Sequence, residues 1–247
     1  MTVVGHIQPI EEPLHPTRED VPELERFGVV AFTTTRSRGT FALHSTDTAF
    51  DVFGRWQALL AEVSPWARRL ASAHQVHGDE ILEHQGKWEG WLRAPRADGH
   101  LALQAGTAMA VSIADCVPVF IAHPSGATAL VHSGWKGTVA HIAGRAIQRM
   151  VAAGLAASDL VLHCGPAICG GCYEVSPDVY GALTGRRVAA PTPVDLRAVI
   201  AEDARSRGVT AISTSPWCTR CHNTRFFSHR CGDAGRQVAV IAGPRAG

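Results

Sequence analysis

Residues Ala108–Gly137 read AMAVSIADCVPVFIAHPSGATALVHSGWKG, and the way this stretch divides decides the architecture. Three apolar runs follow one another: Ala108–Ile113, Val117–Ala122 and Ala127–His132. Each is nearly continuous rather than alternating, the pattern of strands buried on both faces. Beyond Gly137, Val139, Ile142, Ala143, Ala146, Ile147, Met150 and Val151 recur at i, i+3, i+4 and i+7 steps. That spacing predicts an amphipathic helix starting near Thr138 and stopped near Gly154.

Working outward, Gly28–Thr35 (GVVAFTTT) predicts a strand and RSRGTFALHSTD a polar loop. In Ala49–Val63, Phe50, Phe53, Trp56, Leu59 and Leu60 fall at helical spacing. RLASAHQVHGDEIL predicts a strand, a turn at Gly78-Asp79 and a second strand. DLVLHCGPAI, VTAIST and RQVAVIAG predict further strands, and DLRAVIAEDARSRG a helix ending at Gly208. Mixed hairpin-like and strand–helix connections, with no repeat or linker, predict a single α/β domain of α+β type with mixed sheets, spanning residues 1–247. The Pro- and Glu-rich residues 1–27 are expected to be an irregular lead-in.

The chain has 247 residues and a formal net charge of +1, so no general basic field points to nucleic acid. No stretch is long and apolar enough to span a bilayer, and no export signal is visible, which leads to the expectation of a cytoplasmic protein. The odd count of seven cysteines argues against a disulfide framework and draws attention to thiol chemistry or metal ligation.

Three places carry candidate chemistry. In HSGWKG, His132 closes an apolar run. Gly134 and Gly137 permit close backbone approach, Lys136 and the helix start suit an anion, and Trp135 offers a flat face. In ADCVP, Asp115 and Cys116 interrupt two apolar strands, where an unpaired carboxylate is costly. In HQVHG, His74 and His77 point to opposite faces if the segment is extended, and His77, beside Gly78, is the one expected to face a site. His77, Cys116 and His132 together would suit Zn²⁺ with one position left for water or substrate. A Cys–His nucleophilic pair uses the same residues. CGGC (Cys169–Cys172) and CTRC (Cys218–Cys221), followed by His222, have the spacing of metal-binding halves. Their separation exceeds that of a compact zinc ribbon, so ordinary reduced thiols are the expectation. Glu174 reads as an acid/base group or a surface carboxylate.

The ordered motifs QVHG, ADCVPV, HSGWKG, GPAICGGCYEV and WCTRCHNTRFFSHR…GRQVAVI closely resemble the YfiH laccase-domain family. Its members have been called polyphenol oxidases, peptidoglycan editing factors and purine nucleoside phosphorylases. The resemblance implies a single-domain layered α/β sandwich and a zinc site at His77, Cys116 and His132. It implies phosphorolysis of adenosine, inosine, guanosine and methylthioadenosine, with adenosine deamination as a second activity. The implied partners are small molecules, purine nucleosides and phosphate, with no nucleic acid and no membrane. Asp115, Cys116 and Lys136 are the expected catalytic residues. Arg36, His44, Trp135, Cys172, Glu174 and Arg230 are expected around the substrate, with Arg36 near phosphate or ribose. The chain departs from the family pattern at His44, where Asn is usual, at Gly54, and at His229 in FSHR, where FSYR is commoner. Copper could enter a His₂Cys site in vitro, because Cu²⁺ outranks Zn²⁺ in raw affinity. A multicopper oxidase needs many histidines, typically in H-x-H pairs, and the chain has no H-x-H. A cysteine hydrolase acting on a cell-wall peptide or amide, with Cys116 as nucleophile, is the alternative.

Overall fold

The computed structural model describes residues 16–86 and 88–245. Its strands are β1 (Arg18–Asp20), β2 (Val30–Thr34), β3 (Arg69–Ala73), β4 (Ile81–Glu83), β5 (Gly90–Ala94), β6 (Gly99–Ala102) and β7 (Thr107–Ile113). They continue with β8 (Val117–Ala122), β9 (Thr128–Ser133), β10 (Val161–Cys164), β11 (Glu174–Val175), β12 (Thr192–Pro193), β13 (Ala211–Thr214) and β14 (Gln237–Ala242). The helices are α1 (Ala49–Val63), α2 (Trp135–Val139), α3 (Ile142–Ala152), α4 (Pro177–Thr184) and α5 (Leu196–Ser206).

Two six-stranded mixed sheets, ordered β1-β2-β14-β7-β3-β5 and β13-β10-β8-β9-β6-β4, stack face to face. Met109, Val111, Ile113, Ala239 and Ile241 of the first sheet meet Phe120, Leu130 and Val161 of the second in one core. The alternate residues Ala108, Ala110, Val238 and Val240 face α1 through Val52, Trp56, Leu59 and Val63. On the far side, Val117, Val119, Ile121 and Val131 pack on Ile142, Ile147 and Met150 of α3 and Ile200 of α5. The result is a four-layer helix–sheet–sheet–helix sandwich. It explains the unbroken apolar runs: each central strand has a packed layer on both faces, so both parities are apolar.

Several expectations are corrected. The runs after Ala108 are strands as predicted, but β7 and β8 belong to different sheets, and Ala114–Cys116 carries the chain between them. The segment after β3 forms the predicted strand–turn–strand, and its second strand, β4, lies in the second sheet. The helix after Gly134 begins at Trp135, three residues early, and breaks at His141, whose φ of +57° is left-handed; α3 restarts at Ile142. In α1, Phe50 and Phe53 are exposed, because the buried stripe runs through Val52, Trp56, Leu59 and Val63 instead. The lead-in is irregular only in part: β1 pairs with β2, and Pro22–Phe27 forms a 3₁₀ helix with Leu24 buried. Residues 1–15 of that expectation lie outside the described residues. Among the described residues, no helix is long and apolar enough to cross a membrane.

Candidate metal centre and cavity

Strand direction concentrates the chemistry at one end of the sandwich. Strands β3, β5 and β7 run parallel, so their C-terminal ends share an edge. From that edge the chain crosses three times to the second sheet, and each crossing delivers one polar residue: His77 after β3, Asp98 after β5 and Cys116 after β7. Val117 pairs with Ser133, which brings the end of β9 and His132 to the same place. Two crossing residues have left-handed backbone, His77 at φ +58° and Asp115 at φ +84°. Such conformations persist only where surrounding bonds hold them.

Asp98 holds this corner. Its buried carboxylate accepts from the amides of Val76 (3.1 Å), His77 (3.0 Å) and Gly78 (2.8 Å), which fixes the turn carrying His77. It also lies 2.9 Å from His132 Nδ1, and the Asp98 carbonyl accepts the His132 amide at 2.7 Å. With Nδ1 bound to Asp98, His132 Nε2 is the nitrogen free to meet a metal. The His77 and His132 rings sit 4.9 Å apart at 80°. One ligand atom each from His77, Cys116 and His132 lie within 4.8 Å of one another. Gly134 makes room for them: a Cβ there would stand 2.9 Å from Cys116 Sγ and 3.4 Å from His77 Cδ2.

Without a metal, the electrostatics are those of a Cys116 thiolate beside a charged His132, whose proton a metal would displace. Burial pushes the Cys116 thiol up, but the charge and hydrogen bonding of His132 and His77 bring it down to about 6. Burial opposes charge on His132, yet Cys116 and Asp98 raise it to about 9. Burial also works against the Asp98 carboxylate, and its bonds from His132, Gly78 and Val76 prevail, leaving it at about 2. A thiolate and two imidazoles, one backed by a carboxylate, fit a four-coordinate zinc with an open position.

The trio opens into a cavity of about 390 Å³. Phe41 and Trp56 form an apolar wall; His44, His74 and His229 add imidazoles, and Arg93 and Arg236 add cations. Gln75 stiffens the rim by bonding the Ser112 carbonyl and amide at 2.8 and 2.7 Å.

The cavity takes in only part of the expected set. His44, His77, Cys116 and His132 line the cavity; Arg36, Asp115, Trp135, Lys136, Cys172, Glu174 and Arg230 do not. Arg36 is held by the Asn223 carbonyl (2.8 Å) and Asp233 (2.5 Å), and lies 4.3 Å from the Phe227 ring centre. Its guanidinium braces the last loop. Asp115 is buried, but Thr219 Oγ1 donates to one carboxylate oxygen at 2.6 Å and the Arg230 amide to the other at 2.7 Å. Trp135 is partly buried against the helix-side core, and Lys136 is exposed beside its ring. Glu174 is exposed, and Arg230 reaches its carbonyl at 3.3 Å. Cys172 turns toward Cys169, Cys218 and Cys221.

Sequence reasoning passed over Asp98, Arg93 and Arg236. A lone Asp before Gly reads as a turn, yet Asp98 stands directly before the apolar β6, the same kind of polar break that made Asp115 conspicuous. Nothing local marks the two arginines.

A family model described as multi-copper polyphenol oxidoreductase laccase matches residues 27–243. The purine nucleoside phosphorylase of Streptomyces griseus is 35% identical over 176 residues, 68% of this chain and 72% of that protein. The purine nucleoside phosphorylase YlmD of Geobacillus stearothermophilus is 32% identical over 246 residues, 87% of this chain and 90% of that protein. A crystal structure of YlmD from that organism matches with a TM-score of 0.82 at 27% identity, covering 94% of this chain and 98% of the other. Bacillus licheniformis YfiH shares the fold, with a TM-score of 0.81 at 23% identity over 93% of this chain and 97% of that one. The chain belongs to the multi-copper polyphenol oxidoreductase laccase family, and its fold is that of YlmD and YfiH.

Proposed function

We propose that the chain is a zinc-dependent purine nucleoside phosphorylase acting on adenosine, inosine, guanosine and methylthioadenosine, with adenosine deamination as a second activity. One observation carries this reading: a His₂Cys donor set opens into a cavity that combines an aromatic wall, imidazoles and two arginines. The names of the curated relatives point to the same chemistry.

Phosphorolysis joins a phosphate oxygen to the ribose C1′ as the bond to the purine breaks. Arg93 and Arg236 supply charge for the phosphate. Phe41 and Trp56, themselves buried, back the apolar side of the cavity where the purine would lie. The imidazoles of His44, His74 and His229 can exchange protons and hydrogen bonds with ribose and leaving base. Asp115 and Asp98 act by position, holding the loops that carry Cys116 and His77. Bound zinc would supply Lewis acidity at the inner end of the cavity. Deamination replaces the purine C6 amino group with an oxygen from water and releases ammonia.

The test is incubation of zinc-loaded protein with adenosine, with and without phosphate, and analysis of products by mass. Adenine with ribose-1-phosphate, formed only with phosphate, supports phosphorolysis; inosine supports deamination. Absence of both products rejects the reading. A second reading, a cysteine hydrolase, is favoured by the lowered Cys116 thiol beside His132. It requires Cys116 to be alkylated in metal-free protein, and failure of a thiol probe to label it there counts against it.

A further inference from the structure

Cys169 and Cys172 lie in the loop after β10, and Cys218 and Cys221 in the long crossing from β13 to β14. The chain separates the two pairs widely, yet the sulfurs of all four lie within 4.8 Å of one another. Cys172 Sγ and Cys221 Sγ are 3.4 Å apart, beyond a disulfide bond, and all four cysteines are free. At a Zn–S length of about 2.3 Å, a regular tetrahedron places its sulfurs about 3.8 Å apart, which this cluster spans.

The backbone is arranged for ligation as well. Ala167 bridges Cys218, and the Thr219 amide donates to the Ala167 carbonyl at 3.1 Å, so the two loops are clamped beside the sulfurs. The amides of Cys169 (3.3 Å) and Cys221 (3.4 Å) both point at Cys218 Sγ. Amide donors stabilise a thiolate more than a thiol. In each half a tight turn separates the two cysteines, and Arg220 reaches the Cys172 carbonyl at 3.3 Å, placing a cation beside the group. Four converging thiols in a partly exposed knuckle suit a closed structural ion, with all four positions filled by protein, rather than a catalytic one.

We propose that Cys169, Cys172, Cys218 and Cys221 bind a structural zinc ion, separate from the His₂Cys centre. The zinc staples the β10 loop to the β13–β14 crossing. Its second half is also the segment that contacts the first centre: Thr219, inside CTRC, donates to Asp115, which precedes Cys116. The Cys₄ ion thereby fixes one end of the loop that presents Cys116, without touching substrate.

The experiment is metal analysis of the full chain purified under reducing conditions, with Cys116→Ala and Cys221→Ser variants. Two zinc equivalents in the native protein and one in each variant are expected. Cobalt substitution of Cys116→Ala protein should still give the intense thiolate-to-cobalt absorption of a tetrahedral sulfur site. This arm decides the matter even if Cys221→Ser does not fold. A native protein with one zinc that Cys116→Ala removes entirely would overturn the proposal. So would disulfides among the four cysteines in the reduced, purified protein. Neither result bears on the phosphorolysis assay, which reads the other centre.

Discussion

Asp98 Oδ1 lies 2.9 Å from His132 Nδ1, and the same carboxylate receives the three amides of the turn that carries His77. One buried side chain therefore orients two of the three proposed ligands. Asp98→Asn keeps the size but removes the charge and presents an amide group to four donors. Outer-shell partners of this kind are worth 10–100-fold in metal affinity. We expect zinc affinity, measured by competition with a chelator, to fall by about that factor. Unchanged affinity would show that the turn holds His77 and His132 without Asp98.

Gly134→Ala tests the space rather than the charge. The backbone at Gly134, φ −79° and ψ −176°, is one that alanine adopts readily. The added Cβ would stand 2.9 Å from Cys116 Sγ, so the sulfur must move. We expect a folded protein, with unaltered far-ultraviolet circular dichroism, that has lost most of its zinc at the His₂Cys centre. A variant with full zinc content would mean that Cys116 shifts freely and that Gly134 is not needed for the site.

These two residues also mark what could be read from the sequence. The strands were legible because each central one is covered on both faces, so apolar runs such as Val117–Ala122 stand out. Their allotment to sheets was not: ADC between β7 and β8 looks like a tight turn, and local sequence does not distinguish a hairpin from a crossing between sheets. His77, Cys116 and His132 could be grouped by ligand chemistry. Lys136 and Trp135 are adjacent to His132 in sequence; they open α2, which lies against the Gly78 and His132 carbonyls at Gly137, but their side chains do not line the cavity. Arg93 and Arg236 reach the cavity through tertiary placement alone.

Acid should destabilise the protein through a second histidine pair. His84 Nε2 and His100 Nδ1 are 2.9 Å apart, and His100 Nε2 is buried without a partner. Burial, then the charge of Arg69, lowers His84 to about 4. Burial and His84 lower His100 to about 3, against a raising influence of Asp98. Both values lie below the ordinary 6.5, so on acidification the unfolded chain takes up protons that the folded chain refuses. Their stabilising contribution is complete above about pH 6.5 and declines as the pH falls toward 4. Thermal midpoints recorded across this window should fall less steeply in His100→Gln than in the native protein. Parallel curves would remove the pair as the cause.

Arg36 and Arg236 separate bracing from anion binding. Arg36 bonds the Asn223 and Phe226 carbonyls, pairs with Asp233 and stacks on Phe227, all within the loop that closes the structure before β14. Arg236 lines the cavity, and its Nη1 is tied to the Asp233 and Gly235 carbonyls, which holds the side chain in place. Arg36→Ala should therefore lower the melting temperature, by roughly 2–8 °C for a loss of about 1–2 kcal/mol in a chain of this size, with little change in the KM for phosphate. Arg236→Ala should raise that KM about tenfold or more, since a charged hydrogen bond to an anion contributes roughly 1.5–3 kcal/mol. Phosphate-dependence curves for both variants, beside their melting curves, check the assignment. If Arg36→Ala raises the phosphate KM at unchanged stability, the loop must rearrange to free that guanidinium during turnover, and the anion site belongs to Arg36 instead.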